Sequence, residues 1–385
     1  MNSKLYDKIY GWVLGSGIGD AMGAPIEDMH YLDIREQFGE VNTFLPNRPR
    51  ILGGRPWYEV STSLWRPREV VPFKEPHPMA QFRLEPGVYT DDLRYRLLVC
   101  KSILKRGRMI TGKELAQDML DYVVSTALNP NNRIEHLFAA AFFNMEELAT
   151  MWTKRPFVGN HSGGGVWGGP CGVFYAGDPQ SAAHDGGLMG AIVAAAMAPD
   201  ATVDSILQAA YDFAEFVPGR RYTLEYIRGM KGNTPSGYVQ PTRGDEFRRR
   251  LDLAIKDADA SASYQELIER LYKWALIQYP WPEHGGFQEF VLVPLAMFYF
   301  AKGDPRLSII GGVNYGRDCD STGSLAGELA GVYKGASAIP KEWVADFVKA
   351  NPDIDLADIA RQMTELVVGH ARANQARAEK ILSMA

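Results

Sequence analysis

The chain has 385 residues, 46% hydrophobic and 23% charged, the balance of an ordinary globular protein rather than a disordered or fibrous one. Lys and Arg total 41 against 46 Asp and Glu, for a net charge of −5. The basic residues are scattered, so an electrostatically read nucleic-acid groove is not expected.

The first residues, MNSKLYDKIYGW, carry charges where a signal peptide would need an apolar segment, so the expected location is the cytoplasm. Next comes Leu14–Glu27, LGSGIGDAMGAPIE. Here Gly15, Gly19 and Gly23 are spaced by four, as are Gly323, Gly327, Gly331 and Gly335 far downstream. Four-residue glycine spacing leaves a groove along one helix face, so two such ridges suggest two tightly packed helices. Asp20 and Glu328 interrupt both stretches, which excludes a membrane dimer. A dinucleotide-binding turn is the rival reading, but GSGIG is not GxGxxG, and the residues before it have helical rather than strand-like spacing.

From Leu45 to Pro86, 42 residues hold eight prolines together with Trp57, Tyr58, Trp65, Phe73 and Phe82. Such a stretch is an insertion rather than a helix, and it either covers a helical core or walls a ligand pocket. Beyond it, apolar residues recur at helical spacing. The stripes are Leu93, Leu97, Cys100 and Leu104; then Leu115, Met119, Tyr122 and Val123; then Tyr264, Leu267, Leu271 and Trp274. A small-residue helix is expected from Asp185 to Ala198, and further helices over 287–302, 322–334, 341–349 and 355–383. The longest apolar stretch, Leu188 to Pro199, falls short of the roughly 20 residues that cross a bilayer. No fixed-period repeat is visible, and three cysteines without a CxxC pair (Cys100, Cys171, Cys319) suggest neither a disulfide framework nor a zinc site. A mostly α protein follows.

Two segments concentrate oxygen ligands. Tyr89-Thr90-Asp91-Asp92 opens one predicted helix, and Gly316-Arg317-Asp318-Cys319-Asp320-Ser321 opens another. Helix capping accounts for either one taken alone. Together they offer four carboxylates and two hydroxyls, a set suited to Mg²⁺ or Mn²⁺. If these carboxylates meet, their mutual repulsion calls for a cation.

These residues carry a resemblance. The chain resembles the ADP-ribosylglycohydrolase family. The family's opening G-D-A-x-G-x-P-x-E is matched by Gly19 to Glu27, its T-D-D-T by Thr90-Asp91-Asp92-Leu93, and its G-G-D-T-D-T by Gly316 to Ser321. After that motif come a small-residue helix and Gly335 to Pro340, which match the family's G-x-x-x-I-P ending. A fourth match, Ser162 to Pro170, corresponds to a glycine-rich substrate loop. The resemblance implies a single large, orthogonal, all-α domain over residues 1–385, with insertion 45–86 and a central cleft holding two Mg²⁺ or Mn²⁺ ions. It carries the metal ligands onto Thr90, Asp91, Asp92, Asp318, Asp320 and Ser321, with Glu27, Asp92 and Asp318 as the catalytic acids. Ser162, Gly163, Gly164, Gly165 and Trp167 fall where the family contacts its substrate. Arg317 is a candidate partner for an acidic substrate group or for the carboxylates, with a surface arginine as the plainer alternative.

The chain departs from the family pattern at Leu93 in place of Thr, Arg317 in place of Gly, Trp167 in place of Arg and Ser321 in place of Thr. His161, beside the glycine-rich segment, and His184, at the expected start of the 185–198 helix, are candidate pocket residues; His284 precedes another helix. The expected activity is metal-dependent cleavage of an N- or O-glycosidic bond at the anomeric carbon of ribose, in an ADP-ribosyl conjugate. The alternatives are a hydrolase of a small ribosyl compound such as a nucleoside, and a non-catalytic ADP-ribose-binding protein. The expected partner is a small-molecule or ADP-ribosylated substrate, without nucleic acid or membrane.

Overall fold

The computed structural model of the chain describes residues 3–27, 29–46, 86–112, 114, 115, 117, 118, 121, 122, 162–216, 244–275 and 291–384. Most of the 45–86 insertion, His161 and His284 lie outside the described residues. Regular structure among the described residues is helical, apart from one isolated antiparallel bridge between His30 and Gly316.

The centre is made by two helices, α1 (Lys4–Gly23) and α11 (Cys319–Lys334), buried along most of their length. They run antiparallel with backbones in contact. Gly11 faces Gly331, Gly15 faces Gly327, and Gly19 faces Gly323. A methyl group on any of these would overlap the carbonyl of the facing residue. The two ridges expected from the glycine spacing are therefore one seam, and only glycine permits it, because any Cβ would force the axes apart. Around the seam, Ile9, Trp12, Ile18, Leu325, Leu329 and Val332 are fully buried and form the middle of a continuous hydrophobic core.

The other helices pack around this pair. They are α2 (Tyr31–Phe38), α3 (Asp91–Arg106), α4 (Ser162–Phe174), α5 (Pro179–Met197), α6 (Val203–Phe216), α7 (Gly244–Asp259), α8 (Tyr264–Ala275), α9 (Val293–Phe300), α10 (Pro305–Asn314), α12 (Lys341–Ala350) and α13 (Leu356–Leu382). Helices α7 and α8 are amphipathic. Phe247, Leu251, Ala254 and Ala258 line the inner face of one, and Leu267, Ile268, Leu271 and Tyr272 that of the other. No helix among the described residues is long and apolar enough to cross a membrane.

Two elements differ from the sequence expectation. The glycine-rich segment from Ser162, expected as a loop, forms the first turns of α4. Close packing accompanies the helical course further along α4: Gly168 fits against Gly186, and Gly172, just beyond the segment, against Gly190. That contact outweighs glycine's poor helix propensity. The helix expected from Asp185 begins instead at Pro179 and breaks at Gly187 (φ 63, ψ −151). There the chain folds back, so that a methyl on Gly190 would lie 2.6 Å from the Ala182 carbonyl oxygen.

The seam makes a stability prediction. Gly327→Ala should cost about 3 kcal/mol or more, because backbone rather than a movable side chain opposes the new methyl. Gly369→Ala, on a stretch of α13 with open space around it, should gain about 0.5–1 kcal/mol. Urea unfolding midpoints at constant m-value measure both.

Candidate metal centre

Three backbone junctions meet at one end of the seam. The first follows α1, where a short 3₁₀ turn (Ala24–Ile26) with Pro25 near its start leads to Glu27. The second is the start of α3. Asp20 of α1 is completely buried, and its carboxylate accepts hydrogen bonds from the backbone N–H of Thr90 (3.0 and 3.1 Å to its two oxygens) and of Leu93 (3.0 Å). An acid on one helix thus satisfies the orphan donors of another. Thr90 occupies the N-cap of α3, with its hydroxyl 3.5 Å from the Asp92 N–H, and it also donates to Asp320 Oδ2 at 3.3 Å.

The third junction is the tight passage from α10 into α11. Gly316 (φ 78) and Arg317 (φ 60) are both left-handed, a region that costs a non-glycine residue roughly 1 kcal/mol or more. The surrounding structure fixes this bend. The Arg317 N–H donates to the Met29 carbonyl at 2.7 Å, His30 bridges to Gly316, and the Tyr272 hydroxyl donates to the Tyr315 carbonyl at 2.7 Å. His30, Tyr31 and Tyr315 ring faces or edges pack on Tyr272. This pairing of residues 29–30 with 316–317 brings Glu27 to Asp318.

The result is a cluster in which ligand oxygens of Glu27, Asp318 and Asp320 all lie within 4.8 Å of one another. Asp318 stands at the N-cap of α11 without capping it through its side chain. The Asp320 carboxyl is held well above the usual carboxylate range, first by burial, then by the negative charges of Glu27, Asp318 and Asp92, and by a hydrogen bond with Asp318. Asp92, Asp318 and Asp320 are buried and Glu27 is half-buried. Four converging carboxylates, a threonine hydroxyl and two helix N-termini form a hard-oxygen donor set of the kind Mg²⁺ or Mn²⁺ prefers, and a cation would relieve the repulsion that raises Asp320. The donor set fits such an ion.

Ser321 is buried beside the cluster, and its N–H donates to Asp320 Oδ1 at 2.8 Å. The Asp91 backbone opens α3, and its side chain lies outside the description. Arg317 is 2% exposed, which excludes the surface alternative. Ser162, Gly163, Gly164, Gly165 and Trp167 occupy the first turns of α4, with side chains outside the description. His184 lies within α5 with its side chain 78% exposed, 2.8 Å from Asp185. Sequence reasoning missed Asp20, Ser16, Arg96, Ser324 and Glu328. For all but Arg96 the signal was the four-residue spacing of 12/16/20 and 320/324/328, each set one position beyond the glycine ridge.

A helical protein with a buried, acidic, oxygen-rich centre at helix N-termini is the class these features define. The ADP-ribosylglycohydrolase family model matches residues 1–373, and the chain belongs to that family. Membership implies glycohydrolase activity on ADP-ribosyl compounds. An uncharacterized protein of Archaeoglobus fulgidus is 22% identical over 350 residues, covering 88% of this chain and 90% of that one. A solved structure described as an ADP-ribosylglycohydrolase-related protein complex is 20% identical, with a TM-score of 0.44, covering 94% of this chain and 99% of its own.

Asp320 holds its proton more tightly folded than unfolded. Its contribution to metal-free stability is therefore present below the unfolded carboxylate value, about 3.9, and is lost as pH rises through the elevated folded value. In chelator, Asp320→Asn should melt a few degrees above the parent at pH 8, and the gap should close toward pH 4. Mn²⁺ should raise the melting temperature of the parent but not of the variant. Differential scanning calorimetry with and without chelator measures both.

Proposed function

We propose that the chain is a metal-dependent hydrolase that cleaves the N- or O-glycosidic bond at the anomeric carbon of ribose in an ADP-ribosyl conjugate, with two Mg²⁺ or Mn²⁺ ions as its resident cations. The observation that carries this reading is the convergence of Glu27, Asp92, Asp318 and Asp320 at the entrances of α3 and α11. Thr90, Asp91, Asp92, Asp318, Asp320 and Ser321 would hold the cations, which when bound supply positive charge for ribose hydroxyls and for water.

The protein's own residues do the rest. Glu27 is half-buried where Asp92, Asp318 and Asp320 are buried, so among the described carboxylates of the cluster it is the one best exposed to entering water. It accepts a proton as water adds to the anomeric carbon. The glycosidic bond breaks with its electron pair going to the leaving group, which also takes up a proton. Asp92 and Asp318 place negative charge beside the oxocarbenium-like transition state. The backbone N–H groups of Gly163 to Gly165, in the first turn of α4, are the donors proposed for the diphosphate.

Trp167 in place of the family's arginine favours a second reading, a smaller ribosyl compound such as a nucleoside. On that reading an aromatic residue stands at the position where the family carries a charged one.

Incubation of ADP-ribosylated arginine, ADP-ribosylated serine and nucleosides with Mg²⁺ or Mn²⁺ should release free ADP-ribose from at least one conjugate. Absence of release from every conjugate, with cation bound, overturns the proposal. Glu27→Gln and Asp92→Asn should each lower kcat by about 10²-fold or more. Trp167→Arg should raise kcat/KM for ADP-ribosyl conjugates relative to nucleosides by at most about 1.5–3 kcal/mol, the contribution of one charged hydrogen bond. An unchanged ratio places Trp167 outside the pocket.

A further inference from the structure

Three helices send a buried polar side chain inward every fourth residue: α1 with Trp12, Ser16 and Asp20, α3 with Asp92 and Arg96, and α11 with Asp320, Ser324 and Glu328. Four-residue spacing keeps each set on one helix face. The antiparallel seam puts the sets level with one another, because Gly19 opposes Gly323 and Gly15 opposes Gly327. Thr90 links the top level, taking Asp20 on its N–H and Asp320 on its hydroxyl. Ser16 and Ser324 meet at 3.1 Å in the middle level. At the bottom the Trp12 indole N–H donates to Glu328 Oε1.

Arg96 ties this column together. Its side chain and that of Glu328 are completely buried. Nη2 donates to Glu328 Oε2 at 3.0 Å, while Nη1 donates to Ser324 Oγ at 3.0 Å and to Ser16 Oγ. One guanidinium on α3 thus grips α1 and α11 at once, one helical turn from Asp92, about 6 Å along the axis. Glu328 cannot yield, because the Gly169 backbone of α4 lies so close that a methyl there would overlap Glu328 Oε1. Cys100, one further turn along α3, is held as a neutral thiol by burial, with its pKa pushed up to about 12. The column therefore carries one neutralised ion pair, separate from the negative cluster above it.

A buried ion pair of this kind contributes little stability beyond what apolar side chains of similar volume would give. It does fix geometry. The Asp20 hydrogen bonds hold the start of α3, whereas the buried apolar contacts of Leu93 and Leu97 are non-directional and do not by themselves fix rotation about its axis. Such a rotation would swing Asp92 away from Asp320, and the guanidinium fork resists it.

We propose that Arg96 and Glu328 are positioning residues for the cation site: their buried pair sets the rotation of α3 against the α1–α11 seam, and with it the place of Asp92 relative to Asp320. This rests on the metal-dependent reading above.

The test is Mn²⁺ titration calorimetry on the full chain, with melting temperature and turnover measured in parallel. The double variant Arg96→Met/Glu328→Met leaves no unpaired buried charge and should melt within a few degrees of the parent. Its Mn²⁺ affinity should nevertheless fall by about 10- to 100-fold, and kcat at saturating Mn²⁺ should fall while KM changes little. Arg96→Lys, which retains the charge but not the fork, gives a second measurement should the double variant not fold. It should weaken Mn²⁺ binding at least threefold. Parental Mn²⁺ affinity in either folded variant overturns the proposal, whether or not the enzyme turns over. A parent that takes up no Mn²⁺ overturns the cation reading and this inference with it. Loss of turnover on every substrate with parental cation binding and the expected variant losses overturns only the reaction.

Discussion

The structure depends on the contact between two backbones. Where α1 meets α11, glycine faces glycine at three successive levels, and the axes approach more closely than any pair of side-chain-bearing helices allows. Gly11, Gly15, Gly17, Gly19 and Gly23 each weaken α1 as an isolated helix by about 0.8–1 kcal/mol. A segment of this composition would not hold together alone, so α1 exists because α11 is there. In return the seam is stiff. Slippage by one residue would drive Cβ atoms into carbonyl oxygens, so the register is fixed, and Asp20 and Asp320 stand at the same end.

That register allows negative charge to accumulate. Carboxylates brought together in a soft structure would part or take up protons. Here Glu27 is held by the pairing of 29–30 with 316–317, Asp318 and Asp320 by the α11 entrance, and the start of α3 by Asp20. The strained left-handed Arg317 belongs to the same logic. It lies at the bend that delivers Asp318, between a glycine that packs on the Met29 carbonyl and the start of α11. The repulsion among these carboxylates is what a cation in the candidate site would relieve.

Much of this was legible in the sequence, for identifiable reasons. The glycine ridges suggest tight helix packing because four-residue spacing leaves a groove along one helix face, and GSGIG lacks the spacing of a dinucleotide-binding turn. Thr90 to Asp92 and Gly316 to Ser321 declare the two entrances because acids there serve either the helix or a ligand. The failures lie where long-range contact overrides local preference. Ser162 to Pro170 is rich in glycine and contains a proline, so it reads as a loop until Gly186 and Gly190 supply surfaces that only glycines can approach. The turn-back at Gly187 is hidden inside a run that looks like one helix. Arg96 and Glu328 are 232 positions apart, and nothing local marks either as the other's partner. Asp20 reads as an interruption of an apolar stretch, yet it caps a helix 70 positions away.

The polar column and the acidic cluster show one design applied twice along the same three helices. At the lower levels opposite charges cancel, with Arg96 answering Glu328 through Nη2 while Ser16 and Ser324 accept from Nη1. At the top level the same spacing delivers carboxylates to one another, and burial together with the neighbouring acids raises the pKa of Asp320. A buried pair of opposite charges has no charge left over, whereas a buried cluster of like carboxylates is relieved by taking up protons, as at Asp320, or by a cation. The difference between the lower levels and the candidate site is thus a matter of charge balance at successive helical turns.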